Sequence, residues 1–131
     1  MNNETDVETL DDQLADLEPP YESEDEARIG HLLDRYGIPF FYRQATIIYN
    51  KGKNEIWKPS FALPQYGCSL IDYLQDEAAI PERINIYRYN QIPATVLGPS
   101  DLDKPNWQES LYEKLQQLTS RLQDLSLYRD Q

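Results

Sequence analysis

Cysteine, histidine and long apolar runs are all scarce in this chain of 131 residues. The only cysteine, Cys68, excludes an intramolecular disulfide framework and a multi-cysteine metal site, and it is compatible with a reducing compartment. His31 has no second histidine or cysteine at ligand spacing, which favours a surface or core histidine over a metal ligand. No apolar stretch approaches the roughly 18 residues that cross a bilayer. These absences predict a protein with no membrane contact, and they make the cytoplasm the default location.

Positive charge is missing from one end of the chain. Residues 1–26 contain eleven of the 23 acidic residues and no lysine or arginine, whereas residues 27–131 contain twelve residues of each sign. The net charge of −11 therefore belongs to the amino-terminal segment, and the remainder is formally neutral. Because residues 1–21 are also poor in apolar side chains, we predict a disordered acidic arm there, followed by one domain over residues 22–131.

Three leucines in the arm share a helical spacing. Leu10, Leu14 and Leu17 fall at i, i+4 and i+7, so a helix would place them on one stripe. Two interpretations are open. The leucines are either a chance feature of a solubilising tail or a motif that folds into a partner's groove or onto the basic side of its own domain.

The residues after the arm alternate between helical and strand patterns. Helices are predicted to begin at Ser23, at residue 77 and at residue 105, and strands are predicted at residues 39–49, 55–63, 68–74 and 93–98. The 68–74 segment is almost wholly apolar, so we expect a central strand buried on both faces, with Cys68 as a packed thiol. The order predicts an α/β domain with a mixed sheet, in which the last two strands form a βαβ unit.

This order and three short motifs resemble the PD-(D/E)xK superfamily, which has the restriction-endonuclease-like fold. Members of that superfamily carry a glutamate on the first helix, a Pro-Asp pair at one strand and a Glu-x-Lys motif on the next. The matching positions here are Glu26, Pro59-Ser60 and Asp72-Tyr73-Leu74. The resemblance covers residues 22–115 and implies an α-β-β-β-α-β core with a mixed central sheet and a long C-terminal helix, here residues 105–128.

The departures from these motifs bear on function. In an active member, carboxylates hold Mg²⁺ and the lysine orients the attacking water. Here Ser60 replaces the aspartate with a neutral hydroxyl, and Leu74 occupies the place of the lysine. The resemblance therefore implies that Glu26, Ser60, Asp72 and Leu74 are vestigial positions, with no catalytic residue, metal or cofactor. It also implies that Ser60 and Asp72 lie side by side near the carboxyl ends of adjacent strands, with Glu26 close by. For Asp72 the alternative is a strand-end carboxylate that caps a turn or pairs with an arginine. Mg²⁺ would be expected only in an active nuclease.

A lysine-containing hairpin keeps nucleic-acid binding open as an alternative. Lys51 and Lys53 lie in its turn, and Arg43 and Lys58 lie on its flanks. Against this, the body of the chain is neutral and the acidic arm repels phosphates. Nucleic-acid contact is therefore possible but disfavoured.

The terminal helix favours a partner protein. Its apolar stripe is spaced 4, 4, 3, 4 and 3 residues apart, close to a heptad seam, and consists of Trp107, Leu111, Leu115, Leu118, Leu122 and Leu125. Leu118, Leu122 and Leu125 extend past the usual end of the family's domain. This end of the stripe either continues packing on its own domain or docks on another protein or a second copy.

These patterns predict a catalytically inactive nuclease-fold protein that acts as a protein-interaction or regulatory module, through its C-terminal helix or its acidic arm. Two alternatives remain. One is a metal-dependent nuclease, active alone or with a partner that completes the site, and the other is a noncatalytic nucleic-acid binder.

Overall fold

A computed structural model of the protein describes residues 18–129, and the side chains of residues 18–118. Within these residues the fold is α/β, with four α-helices, a mixed four-stranded sheet and a separate two-stranded sheet. The helices are α1 (Glu24–Arg35), α2 (Ile80–Tyr89), α3 (Pro99–Leu102) and α4 (Trp107–Arg129). The strands are β1 (Phe41–Tyr42), β2 (Thr46–Asn50), β3 (Lys53–Trp57), β4 (Phe61–Leu63), β5 (Ser69–Tyr73) and β6 (Ala94–Leu97).

Most of the predicted acidic arm lies outside the described residues. The predicted interface positions whose side chains fall outside them are Leu10, Leu14, Leu17, Leu122 and Leu125. Tyr21, at the end of the arm, packs against the core beside Tyr42 and Phe61, with ring centroids 5.0 and 6.2 Å away. Its ring crosses α1 so closely at Gly30 that a Cβ there would overlap it. The close approach of Tyr21 therefore explains the glycine in this helix.

The two long strands predicted at residues 39–49 and 55–63 are each interrupted, which corrects that prediction. Arg43 has a left-handed backbone with φ of 56°, and Pro59 has no N–H to donate to a sheet. The chain therefore leaves the main sheet after β1 and returns to it at β4. Between these points β2 and β3 pair with each other, around a turn whose two residues both have positive φ, as a type I′ hairpin requires.

The main sheet has the strand order β1-β4-β5-β6. β4 is antiparallel to both β1 and β5, whereas β5 and β6 are parallel and are connected through α2. All five residues of β5 are buried. The mixed sheet, the central position of this strand and the parallel β5–α2–β6 unit were predicted and are confirmed.

The core consists of two clusters on opposite faces of the main sheet. Side chains of α1 and α4 pack with Phe61, Leu63 and Ile71 on one face. Tyr87 of α2 and Ile48 of the hairpin pack on the other face. Because side chains alternate along a strand, Tyr73 points toward α1, and Asp72 points toward α2 and the hairpin.

Helix α4 is anchored at its beginning. Trp107, Leu111 and Leu115 are buried in the first cluster, and Leu118 is half-buried against it. Leu118, predicted as part of a partner interface, therefore contributes partly to its own domain. The helical backbone continues to Arg129. No helix within residues 18–129 is long and apolar enough to cross a bilayer.

The expectation of a packed thiol at Cys68 is wrong. Cys68 is exposed and has a φ of 60°, directly after Gly67 with a φ of 67°. The two residues close a single helical turn, and strand β5 begins only at Ser69. Because Cys68 belongs to this left-handed turn and not to the buried strand, its side chain stays at the surface.

Candidate functional site

The carboxylate of Asp72 is buried in a polar network under α2. Its residue is 2% exposed. Oδ2 accepts a hydrogen bond from the Tyr87 hydroxyl at 2.5 Å and another from Arg83 Nη1 at 3.3 Å. Oδ1 accepts the Ser60 backbone N–H at 3.2 Å and faces the Ser60 hydroxyl at 3.4 Å. Both oxygens of this carboxylate are therefore bound to donors from within the chain.

The two donors on α2 follow from helix geometry. Arg83 and Tyr87 are four residues apart, so they share the face of α2 that lies over β5. Trp57 of the hairpin covers both side chains. The Arg83 guanidinium lies 4.3 Å from the centre of its ring, and Tyr87 meets it edge to face at 5.7 Å. This packing fixes the arginine beside the carboxylate, where it compensates the buried charge.

Ser60 completes the network from the neighbouring strand. It is fully buried, and its hydroxyl accepts the backbone N–H of Tyr73 at 3.1 Å. Because β4 and β5 are antiparallel, the amino end of β4 meets the carboxyl end of β5, and Ser60 comes to lie beside Asp72. The side-by-side placement expected for these two positions is found, and the serine hydroxyl serves as a link between strands.

The carboxylate of Glu26 is buried separately, at the beginning of α1. Arg43 approaches it with two nitrogens, Nη2 at 2.9 Å from Oε1 and Nε at 3.2 Å from Oε2. Ser23, the helix cap, donates its hydroxyl to Oε1 at 3.1 Å. Burial by itself would lower the pKa of Arg43, but the hydrogen bonds to Glu26 raise it above its usual value. The guanidinium thus remains a cation beside this carboxylate.

The arrangement does not fit Mg²⁺. That ion requires free carboxylate lone pairs and near-octahedral geometry, yet the oxygens of Glu26 and Asp72 face N–H and O–H donors. Glu26 lies on α1, which packs on one face of the main sheet, whereas Asp72 points from β5 toward α2 on the other face. Leu74 packs against the second core cluster. Within the described part of the chain, no three His, Cys, Asp or Glu side chains form a group that could hold a metal.

Tyr87 is held as a proton donor. Burial, followed by the negative charge of Asp72, raises the pKa of its hydroxyl well above 10. The neutral hydroxyl can therefore donate to the carboxylate throughout the ordinary pH range. Tyr73 resembles it on the other face: burial and its hydrogen bond to Asp25 raise the pKa of its hydroxyl.

The four residues suggested for nucleic-acid contact form two pairs at opposite ends of the hairpin. Lys51 and Lys53 are exposed at the turn, and Lys51 lies 3.8 Å from Glu82. At the other end Arg43 Nη1 donates to the carbonyl of Lys58 at 3.2 Å. Five residues of extended chain, about 17 Å, separate Lys53 from Lys58. Arg43 is engaged with Glu26 and Glu22, so nucleic acid would have to displace a carboxylate to reach it.

Sequence reasoning missed the partners of the two carboxylates. Pairing of Asp72 with an arginine was one of the alternatives, but Arg83 and Tyr87 were not singled out, and Arg43 was considered only for phosphate contact. One signal was available for Asp72: a carboxylate in an otherwise apolar strand needs a cationic or hydroxyl partner. The crossover helix after that strand presents an arginine and a tyrosine at i and i+4, which is the spacing such a site needs.

Comparisons of the chain with family models, curated proteins and solved structures give no match. The class of the protein is therefore described from its fold and its site. It is an α/β protein in which two buried carboxylates are each compensated by an arginine.

Proposed function

We propose that this protein is a catalytically inactive relative of the PD-(D/E)xK nucleases that works as a protein-interaction or regulatory module. One observation carries the proposal. At the positions that match the family's metal ligands, each carboxylate accepts hydrogen bonds from an arginine and a hydroxyl group. A guanidinium stabilises a carboxylate without polarising a phosphate or generating a nucleophile, so this arrangement favours a structural role.

The topology supports the family relationship. Helix α1 is followed by antiparallel strands, by the buried β5 and by the parallel β5–α2–β6 unit, as the α-β-β-β-α-β order requires. Ser60 and Asp72 occupy neighbouring strand ends, which is the relation that the family's two motifs need.

An exposed apolar surface supports an interaction role. Ile47 and Ile56 lie opposite each other on the outer face of the hairpin and are 71% and 72% exposed. Tyr49, on the same face, stacks on Tyr89 with ring centroids 5.9 Å apart. The side chain of Asn90 binds both backbone groups of Tyr49, at 2.8 and 3.0 Å, and so holds the hairpin against α2. Grouped exposed apolar side chains on a fixed backbone are typical of binding surfaces.

A nuclease assay tests the inactive assignment. Purified protein should leave single- and double-stranded DNA and RNA intact with Mg²⁺ or Mn²⁺, because the carboxylates are engaged and Leu74 supplies no cation. Metal-dependent cleavage that disappears in Asp72→Ala would refute the proposal and favour the active nuclease. Retention of nucleic acid in a gel-shift assay without cleavage would favour the noncatalytic binder.

The interaction role has a separate test. Ile47→Lys combined with Ile56→Lys should abolish capture of any specific partner, since it places two charges in the apolar surface. A matched double variant at exposed positions elsewhere, Gln65→Lys with Gln116→Lys, should retain that partner at wild-type level. Equal retention by both variants would exclude this hairpin face as the binding surface.

A further inference from the structure

A basic groove lies between α1 and the beginning of α4. It encloses about 180 Å³ and is lined by Arg28, His31, Leu32, Arg35, Trp107 and Gln108. Arg28, His31 and Arg35 follow one another at i, i+3 and i+7, so they form one stripe along α1. Leu32 and Trp107 are buried beneath them and give the groove an apolar floor. The groove thus combines two guanidinium groups with a site for a small apolar group.

The two arginines of the groove differ in how they are held. Arg28 is fixed in place: it donates to the carbonyl of Leu102 at 2.9 Å, pairs with Asp25 at 3.2 Å and lies 5.1 Å from the centre of the Trp107 ring. Arg35 is exposed, and no ion pair joins it to any residue between 18 and 118. One cation is therefore preorganised, and the other is available for an incoming carboxylate.

The acidic arm reaches the domain at this groove. Glu18, the first described residue, has its Oε1 3.2 Å from His31 Nε2. The 17 residues before it contain six acidic residues and no lysine or arginine. Arg28 and Arg35 lie about 10 Å apart along α1, and each arm residue spans up to about 3.3 Å. Residues directly before Glu18 can therefore reach either arginine.

We propose that residues 10–17 of the arm occupy this groove in the same chain. A carboxylate of the segment pairs with Arg35, and one of its leucines rests on Leu32 and Trp107. A cavity of about 150 Å³ holds a molecule the size of benzene, so the space suits one leucine side chain. The arm is then a tethered occupant of the groove.

Tethering is the reason to assign the groove to this segment. A segment joined by a short linker experiences an effective concentration in the millimolar range, so weak ion pairs and one apolar contact suffice to hold it. A free acidic segment with the same contacts would need a comparable concentration in solution. The inference does not depend on the nuclease relationship, because α1 and α4 form the groove whatever the origin of the fold.

The experiment uses the full chain with a nitroxide spin label on the arm. Gln13→Cys in a Cys68→Ser background gives one labelling site, and the amides of α1 and the two indole N–H signals are read by NMR. A Trp57→Phe variant assigns the Trp107 signal. The label should remove most of the intensity of Trp107 and of residues 28–35, and leave Ile47 and Ile56 in the hairpin unaffected.

A matched pair of charge reversals tests the role of the groove. Arg35→Glu should restore most of the lost intensity at Trp107, whereas Arg88→Glu, at an exposed position on α2, should leave the loss unchanged. An unlabelled peptide of residues 1–17, added above the millimolar effective concentration of the tethered arm, should restore it as well. No broadening at Trp107, or broadening equal in both charge variants, would overturn the proposal.

Mixing experiments separate the same chain from a second copy. Spin-labelled protein without ¹⁵N is mixed with unlabelled-arm protein carrying ¹⁵N, so that only contacts between molecules broaden the observed signals. We expect no broadening in this mixture. If the mixture shows broadening as strong as the chain that carries both the spin label and ¹⁵N, the intramolecular proposal is overturned. The groove then belongs to the arm of another copy.

Discussion

At Asp72 and Glu26, arginines lie beside buried carboxylates, whereas in the groove on α1 Arg35 lies at the surface with no ion pair to residues 18–118. The difference follows from burial. A buried carboxylate without a partner is strongly destabilising, so its donors must come from within the chain. An exposed arginine is hydrated and can remain unpaired. The first region is therefore expected to contribute to stability, and the second is free to bind.

The largest expected effect comes from adding a charge to the buried region around Asp72. Ser60→Asp places a second carboxylate beside Asp72 at a position with no exposure, and we expect a loss of about 3–5 kcal/mol in the free energy of unfolding. Urea unfolding measures it. Ser110→Asp, at an exposed position early in α4, is the matched control and should change stability by under about 0.5 kcal/mol.

Metal binding by the same variant tests whether the two positions act as a pair. Two adjacent carboxylates are a better divalent site than one, so millimolar Mn²⁺ should raise the melting temperature of Ser60→Asp. Wild type and the double variant Ser60→Asp, Asp72→Asn should barely respond. An equal response of all three proteins would contradict the convergence of residues 60 and 72.

Removing an arginine from each region compares the two directly. Arg43→Ala leaves the Glu26 carboxylate buried with only a serine hydroxyl, and we expect a loss of about 3 kcal/mol, since its side chain is 30% exposed and water can partly compensate. Arg35→Ala should cost less than about 0.5 kcal/mol. Equal losses in urea unfolding would show that the distinction between the two regions is wrong.

The smallest expected change concerns one hydroxyl group. Tyr87→Phe removes a donor to a charged acceptor and should lower the free energy of unfolding by about 2 kcal/mol. Tyr89→Phe, in the same helix but 72% exposed, is the matched control and should have no measurable effect. A loss in Tyr89→Phe as large as in Tyr87→Phe would indicate that the buried network is not the cause.

The pH dependence of stability in the variants Tyr87→Phe and Tyr89→Phe gives a further test of the buried hydroxyl. Burial and the charge of Asp72 raise the pKa of Tyr87 in the folded protein, so the unfolded chain releases this proton first, near pH 10. The contribution of the Tyr87 hydroxyl to the free energy of unfolding is complete below pH 10. It is lost as the pH rises toward the pKa of Tyr87 in the folded protein. Above pH 10, stability should therefore fall more steeply in wild type and Tyr89→Phe than in Tyr87→Phe, by up to about 1.4 kcal/mol per pH unit.

The elements predicted from hydrophobic periodicity alone were predicted correctly where burial is their dominant cause. The apolar run at 68–74 indicated a central strand, and the helical pattern between it and residues 93–98 indicated a parallel pair; both are found. The interruptions near Arg43 and Pro59 were missed, because strand propensity on both sides continued through them. The first interruption follows from the left-handed backbone of Arg43, which is stabilised by bonds to distant groups, among them its N–H to the Ser60 carbonyl at 3.0 Å. The second follows from Pro59, which has no N–H to donate to a sheet.

The candidate site was predictable in its positions but not in its chemistry. The motif resemblance indicated that Ser60 and Asp72 are neighbours, and it drew attention to Glu26. It gave no indication that arginines from residues 43 and 83 compensate the carboxylates. Those partners are separated from them by 17 and 11 residues in sequence, and only the path of the chain decides that they meet.

The sequence alone determined the location of the acidic charge, the α/β class and the presence of Ser60 and Leu74 at the two positions that the resembled motifs fill with aspartate and lysine. Composition and short-range periodicity do not depend on how the chain folds. The tertiary structure alone decided which donors bind the buried carboxylates and where the acidic arm meets the domain. Both depend on contacts between residues far apart in sequence, since a buried charge selects its partner by distance and geometry in the folded chain.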